Sequence, residues 1–335
     1  MKIGLTLTGD QITLSETIRF AREAEDAGFD SVWVTELWRD AFVPLTAIAM
    51  ETKRVRIGTA IALVMARSPA LMELHASSVD ELSGGRLVLG IGPGPKAWNE
   101  NWHGVRFYPP APYLREYTEV LRLMWTAHSG RSIDYEGKYL KIRGYQRFPV
   151  PYRERIPIYF GAVMPRLLHA TGAVADGLCL TPFHTARYIT DIVRPHIAEG
   201  QKEAKREGQK LEFACMTVCA VDADGKKARE RAKGQIAFYS TIPYYDVVLD
   251  LHGFSQQKKR IREAWSRGDV RGMIGAVTDD MVALIAVAGT PAECREQLAR
   301  YEGLVDEVKF YSPTTGLSRD EVVANHQATL RAFRR

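Results

Sequence analysis

Eight short apolar runs, each followed by a stretch with helical spacing, constrain this chain more than any other feature. They cover residues 2–8, 31–35, 56–60, 87–91, 156–160, 177–181, 212–221 and 307–311. Short apolar runs that lack polar alternation are what a parallel sheet buried on both faces requires. Eight β-α units favour closure into a (β/α)8 TIM barrel, an α/β fold, over an open sheet. The helix starts are written into the sequence. Thr13 and Glu16, Thr290 and Glu293, and Ser318 and Glu321 have capping-box spacing, and Ser68 precedes a first-turn proline. Two stretches interrupt the count. Residues 133–140, after the fourth strand, read as a small hairpin turning near Glu136 and Gly137; residues 238–287, after the seventh, read as a helical, lid-like insertion. The expectation is one domain over residues 1–335.

Composition narrows the function. The net charge is +5 with 25% charged residues and no long block of like charge, which argues against a nucleic-acid partner and suits a small anionic ligand. The chain opens on its first strand without a signal-like segment, and no apolar run approaches bilayer length, so neither export nor a membrane span is expected. Cys179, Cys215, Cys219 and Cys294 lack Cys-x-x-Cys spacing. They suggest neither zinc nor disulfides and fit a reducing cytoplasm. The eight histidines show no metal-ligand spacing and the serines no nucleophile elbow, so no metal site is expected.

Barrel enzymes place their chemistry at the C-terminal ends of the strands. Glu36 is the one acid directly at a strand end in the first half of the chain. Desolvation there would raise its pKa and suit it to proton transfer near neutral pH; the other reading is a capping or salt-bridged glutamate. The run from Gly90 to Gly94 permits close backbone approach to a ligand, although taken alone it is an ordinary turn. Gly161 and Ala162, ahead of Pro165 and its helix, suit a phosphate or an ordinary βα turn.

These strand ends sit inside longer motifs: Phe29-Asp-Ser-Val-Trp-Val-Thr-Glu36, Arg39-Asp-Ala-Phe42, Arg56-Ile-Gly-Thr59, Arg67-Ser-Pro69, Leu82-Ser-Gly-Gly-Arg86, Leu89-Gly-Ile-Gly92, Trp102-His-Gly104, Ile156-Pro-Ile-Tyr159 and Ala175-Asp-Gly177. In that order they resemble the bacterial-luciferase-like superfamily, in particular its branch that uses the deazaflavin coenzyme F420 and includes methylenetetrahydromethanopterin reductases. The resemblance implies a deazaflavin in the barrel mouth, backed by a bulge after strand three with a cis peptide at Ala60-Ile61. It assigns the strand-two acid near the ring to Glu36. It assigns ring contacts to Ala60, Ile61, Ala62, Gly92, Pro93, Gly94 and Asn99, and the phosphate side to Gly161, Ala162, Val163 and Thr181. Three departures stand out: Glu36-Leu37 replaces an Asp-His pair, Val163-Met164 replaces Gly-Gly, and one residue is inserted between Gly94 and Asn99.

The implied activity is hydride exchange between the deazaflavin C5 and a small organic substrate, in a cytoplasmic homodimer. The alternatives are an FMN-dependent monooxygenase of the same superfamily and a member that binds cofactor without catalysis. Lys96, Arg166, Arg187 and the Lys258 cluster are the rim charges expected to attract an anionic cofactor tail.

Overall fold

The computed structural model describes residues 1–335, and the architecture is a (β/α)8 TIM barrel. The chain divides into two compact units: residues 1–32, 180–195 and 213–335, and residues 33–179 and 196–212.

In the first unit β1 (Lys2–Leu7), β10 (Glu212–Val221), β11 (Val287–Gly289) and β12 (Glu307–Tyr311) form a parallel ladder. β12 pairs with both β1 and β10, setting Phe310 opposite Leu5 and Thr217, and β11 extends β10. Side chains alternate across β12 as strand geometry requires. Phe310 stacks on Phe333 at 4.0 Å and meets Phe29 edge-on at 6.0 Å. Glu307 and Lys309 point the other way and are fully buried, with the Ser31 hydroxyl donating to Glu307. Helix α1 (Leu14–Asp26) starts at the Thr13 capping box, and both of the other capping boxes are also formed. Residues 238–285 are mainly helical, and Val287 already belongs to β11. Phe238 already lies in a helix that starts earlier, Gly225–Ser240, and four more helices follow: Asp246–Leu251, Ser255–Ser266, Val270–Gly275 and Asp279–Ile285.

The second unit carries β3 (Arg56–Thr59), β4 (Ala62–Leu63), β5 (Leu87–Gly92), β8 (Ile158–Gly161) and most of β9 (Gly177–Leu180), again parallel; β2 (Ser31–Val34) begins in the first unit and ends here. Helices α2 (Phe42–Glu51), α3 (Pro69–Leu82), α4 (Lys96–Asn101), α5 (Pro110–Trp125) and α6 (Pro165–Val174) belong to this unit. β8 starts two residues later than the apolar run suggested, because Pro157 has no N–H to give a ladder and serves as an acceptor for Leu89 N at 2.8 Å. The hairpin forms from β6 (Ile133–Glu136) and β7 (Lys141–Tyr145), so its return strand begins where the sequence reading stopped. The carboxylate of Glu116 explains the wider turn: it accepts the N–H groups of Lys138, Tyr139 and Leu140 at 2.9, 2.9 and 3.1 Å. No helix is long and apolar enough to cross a membrane.

Candidate functional site

β3 ends at Thr59, and the chain passes through a cis peptide between Ala60 and Ile61 before β4 begins at Ala62. The Ala60 N–H donates to Val34 O at 2.8 Å, while β4 sets Ala62 against Ile91 and Leu63 against Gly92. This leaves the Ile61 side chain lying over the ends of β5 and β8. A Cβ on Gly92 would come within 2.7 Å of Ile61 Cδ1, and one on Gly161 within 2.9 Å of Ile61 Cγ2. Glycine at both positions is therefore what allows the bulge to close on its neighbours.

Glu36 is fastened to this bulge. Its Oε2 accepts the Leu63 N–H at 2.8 Å and Arg67 Nη1 at 2.5 Å, and its Oε1 takes Arg67 Nη2 at 2.5 Å. Arg67 also bonds Asp40 and lies over the Phe42 ring at 5.3 Å. Asp40 in turn accepts the N–H groups of Phe42 and Val43, both at 2.8 Å, at the start of α2. Burial pulls the Arg67 pKa down, but the hydrogen bond and charge of Glu36, with Asp40 behind it, raise it overall. Nearby, burial and then the Arg67 charge lower the pKa of His75, whose ring lies 4.9 Å from that of Phe42 at a 40° tilt. Of the two readings open for Glu36, the geometry is that of the salt-bridged glutamate. Arg67 and Asp40 stand in the sequence motifs without an assigned role. The available signal was charge: a carboxylate pair in one strand-end loop faces an arginine in the next.

Asn99 lies on α4 and is fully buried. Its Nδ2 donates to the carbonyls of Pro93 at 2.8 Å and Pro95 at 2.9 Å, which fixes the amide and leaves Oδ1 buried without a partner. Gly94 has a φ of +63°, and a Cβ there would press within 2.6 Å of Leu63 Cδ2. Gly92, Pro93, Gly94 and Asn99 are thus assembled against the same bulge that Glu36 holds.

At the end of β8, Ala162 and Val163 are buried, and Met164 begins α6 without a side-chain cap. Thr181 belongs to the first unit. Its carbonyl lies 2.7 Å from Nδ1 of His184, whose pKa burial lowers to about 4. Most of the expected rim cations are already engaged: Lys96 with Glu100 at 3.8 Å, Arg187 with Asp191 at 3.1 Å and Lys258 with Asp250 at 2.6 Å. Arg166 is exposed and makes no ion pair.

Two tryptophans absent from the sequence motifs, Trp38 and Trp98, meet Trp102, which the motifs include without a role. Trp98 and Trp102 stack at 5.0 Å with planes 8° apart, and Trp38 leans on Trp102 at 5.6 Å and 33°. Trp38 is 60% and Trp102 54% exposed.

Against known proteins, the profile of the luciferase-like monooxygenase family matches residues 1–307. The 5,10-methylenetetrahydromethanopterin reductase of Archaeoglobus fulgidus is 29% identical over 305 residues, 89% of each chain. The enzyme of the same name from Methanolobus tindarius is 30% identical over 292 residues, 86% of each. Among solved structures, the coenzyme F420-dependent tetrahydromethanopterin reductase of Methanopyrus kandleri superposes with a TM-score of 0.81 at 26% identity, covering 99% of both chains. The chain belongs to the luciferase-like family.

Proposed function

We propose that this protein is an F420-dependent oxidoreductase that exchanges a hydride between the deazaflavin C5 and a small organic substrate. The observation that carries the reading is the likeness, over 99% of both chains, to a structure named as a coenzyme F420-dependent reductase. The residues on hand suit such a ring. The partnerless Oδ1 of the buried Asn99 is an acceptor for a ring N–H, and the cradle at Gly92 and Gly161, closed by Ile61, has no room for side chains. The deazaflavin, when bound, supplies the hydride chemistry; the protein supplies orientation and electrostatics.

In this reading Ala60, Ile61 and Ala62 back the ring, and Gly92, Pro93, Gly94 and Asn99 line its edge. Glu36 works through its grip on the Leu63 amide and through its charge, which Arg67 balances. Gly161, Ala162, Val163 and Thr181 serve the phosphate side, with Met164 narrowing the backbone approach that a glycine would open. The domain is a single barrel over residues 1–335 and its setting is cytoplasmic. A homodimer belongs to the same reading, supported by the exposure of Val43 and Met50 on α2 and of Leu71, Leu74 and Leu82 on α3.

The test is to mix the purified protein with reduced or oxidised F420 and a panel of carbonyl, alcohol and imine substrates, following the cofactor absorbance. Substrate-dependent oxidation or reduction is the expected result. Binding without turnover over the whole panel would point to a non-catalytic member, and a peroxyflavin formed with FMN and oxygen to a monooxygenase.

A further inference from the structure

The tryptophan cluster has no structural task that explains its exposure. Trp98 and Trp102 are one helical turn apart, the Trp102 N–H bonding Trp98 O at 2.9 Å, so α4 itself brings the indoles face to face. Trp38 comes from the loop after β2 and completes the fan. Indoles are among the largest apolar side chains, and folding ordinarily buries them. Here two are more than half exposed. The cluster is also placed by the elements that hold the proposed ring site: Trp38 is two residues beyond Glu36, and Trp98 and Trp102 flank Asn99. Beside Trp38, Arg39 keeps its Nη1 buried with no hydrogen-bond partner, a donor waiting for an acceptor.

We propose that Trp38, Trp102 and Trp98 form a stacking shelf for the substrate, and that the substrate therefore carries a planar conjugated ring bearing a carbonyl or carboxylate that Arg39 binds. Two near-parallel indole faces, with a third tilted 33° beside them, offer offset stacking, which favours a flat π-system over a saturated ring of equal size. The proposal rests on the hydride-transfer reading for calling this ligand the substrate. The shelf itself is testable apart from it.

The experiment is titration calorimetry on the full chain, with and without F420, using 2-naphthoate and decahydronaphthalene-2-carboxylate, which share a skeleton and a charge but differ in planarity. Naphthoate should bind about 10-fold tighter than its saturated analogue in both states. Trp38→Leu should abolish that preference, Trp38→Phe should keep most of it, and Arg39→Gln should weaken naphthoate about 10-fold. Equal affinity of the two probes, no binding of either, equal loss in Trp38→Phe and Trp38→Leu, or displacement of naphthoate by F420 would each overturn the shelf. So would dissociation of a dimer by Trp38→Leu with naphthoate affinity unchanged, since the cluster would then be a subunit contact. If naphthoate behaves as expected while F420 does not bind, the shelf stands and the hydride-transfer reading falls.

Discussion

Arg67 holds both carboxylate oxygens of Glu36, Nη1 and Nη2 each at 2.5 Å, while the same carboxylate receives the Leu63 N–H at 2.8 Å. An acid at a strand end, the natural suspect for proton transfer, is thereby tied to the segment that follows the cis peptide. Both side chains are about nine-tenths buried, so the pair is shielded from solvent and each charge depends on the other.

Removing one partner strands the other. Arg67→Met should destabilise the protein by about 3 kcal/mol in urea unfolding, and adding Glu36→Gln should recover a large part of that loss. A double variant no more stable than Arg67→Met alone would show that the pair is not coupled. Glu36→Gln by itself should lower turnover about 10²-fold. If Glu36 acts as an anchor, the pH–rate profile keeps its shape in that variant; if it carries a proton, one limb of the profile disappears.

Gly94 is the tightest point between the α4 loop and the bulge. Its φ of +63° disfavours any side chain, and a Cβ would strike Leu63, whose amide Glu36 holds. Gly94→Ala should lower stability by about 1 kcal/mol and weaken deazaflavin binding. Ala substitution at Gly130, whose φ is +84° and which has open space around it, separates backbone cost from the contact: stability falls there without a change in binding.

Stability should fall in acid in two steps. His184 and His326 are fully buried, and desolvation lowers both pKa values to about 4. The unfolded chain, with ordinary histidines near 6.5, binds more protons between those values, so stability is full above about pH 6.5 and drains away as pH falls toward 4. The His326 ring lies 4.9 Å from Phe20, tilted by 30°, with neither ring nitrogen bonded. His326→Phe should therefore raise the melting temperature, and more at pH 5 than at pH 7. The second step comes from Glu16, Glu293 and Glu321, held below the ordinary carboxylate value first of all by the backbone N–H of Thr13, Thr290 and Ser318. Their contribution is present above the unfolded pKa near 4.5 and is lost as pH falls through the lower folded values. A triple Glu→Gln variant should be less stable than the parent at pH 6 and close to it at pH 3; a constant difference would contradict the capping account.

Much of this is legible in the sequence. The strands follow from apolar runs and the helix starts from capping boxes, because both are local consequences of side-chain chemistry. The residues of the bulge and of the Gly92 to Asn99 loop are implied by the family resemblance that the motif order carries. What stayed hidden depends on contacts between segments far apart in sequence. Arg67 reaches back 31 positions to Glu36, and Glu116 reaches forward to Lys138 and resets a hairpin turn. Trp38 finds Trp102 across two loops. No period or cap encodes such meetings. The ion pairs of Lys96, Arg187 and Lys258 are hidden for the same reason, since a cation reads as free until its carboxylate is placed beside it.

F420 carries a phosphate, a lactyl group and an anionic oligoglutamate tail, and a net-basic protein attracts such a ligand over distance. With Lys96, Arg187 and Lys258 paired, the charge best placed to act near the proposed phosphate side is Arg166 in the first turn of α6, exposed and without an ion pair. We expect the apo-protein to bind F420 more tightly than FMN. Salt should weaken the long-tailed form more than a tail-less precursor, because screening acts on exposed charges over roughly a Debye length, about 8 Å at physiological ionic strength. Arg166→Gln should remove most of that extra salt dependence, whereas Lys258→Gln should not. Val163 and Met164 act in the opposite direction by restricting backbone approach to the phosphate, so Met164→Gly should tighten both cofactors. Fluorescence titrations of each ligand at low and high salt would decide the matter. Tighter binding of FMN would refute the F420 assignment, and salt curves that coincide for the two tail lengths would remove the tail from recognition.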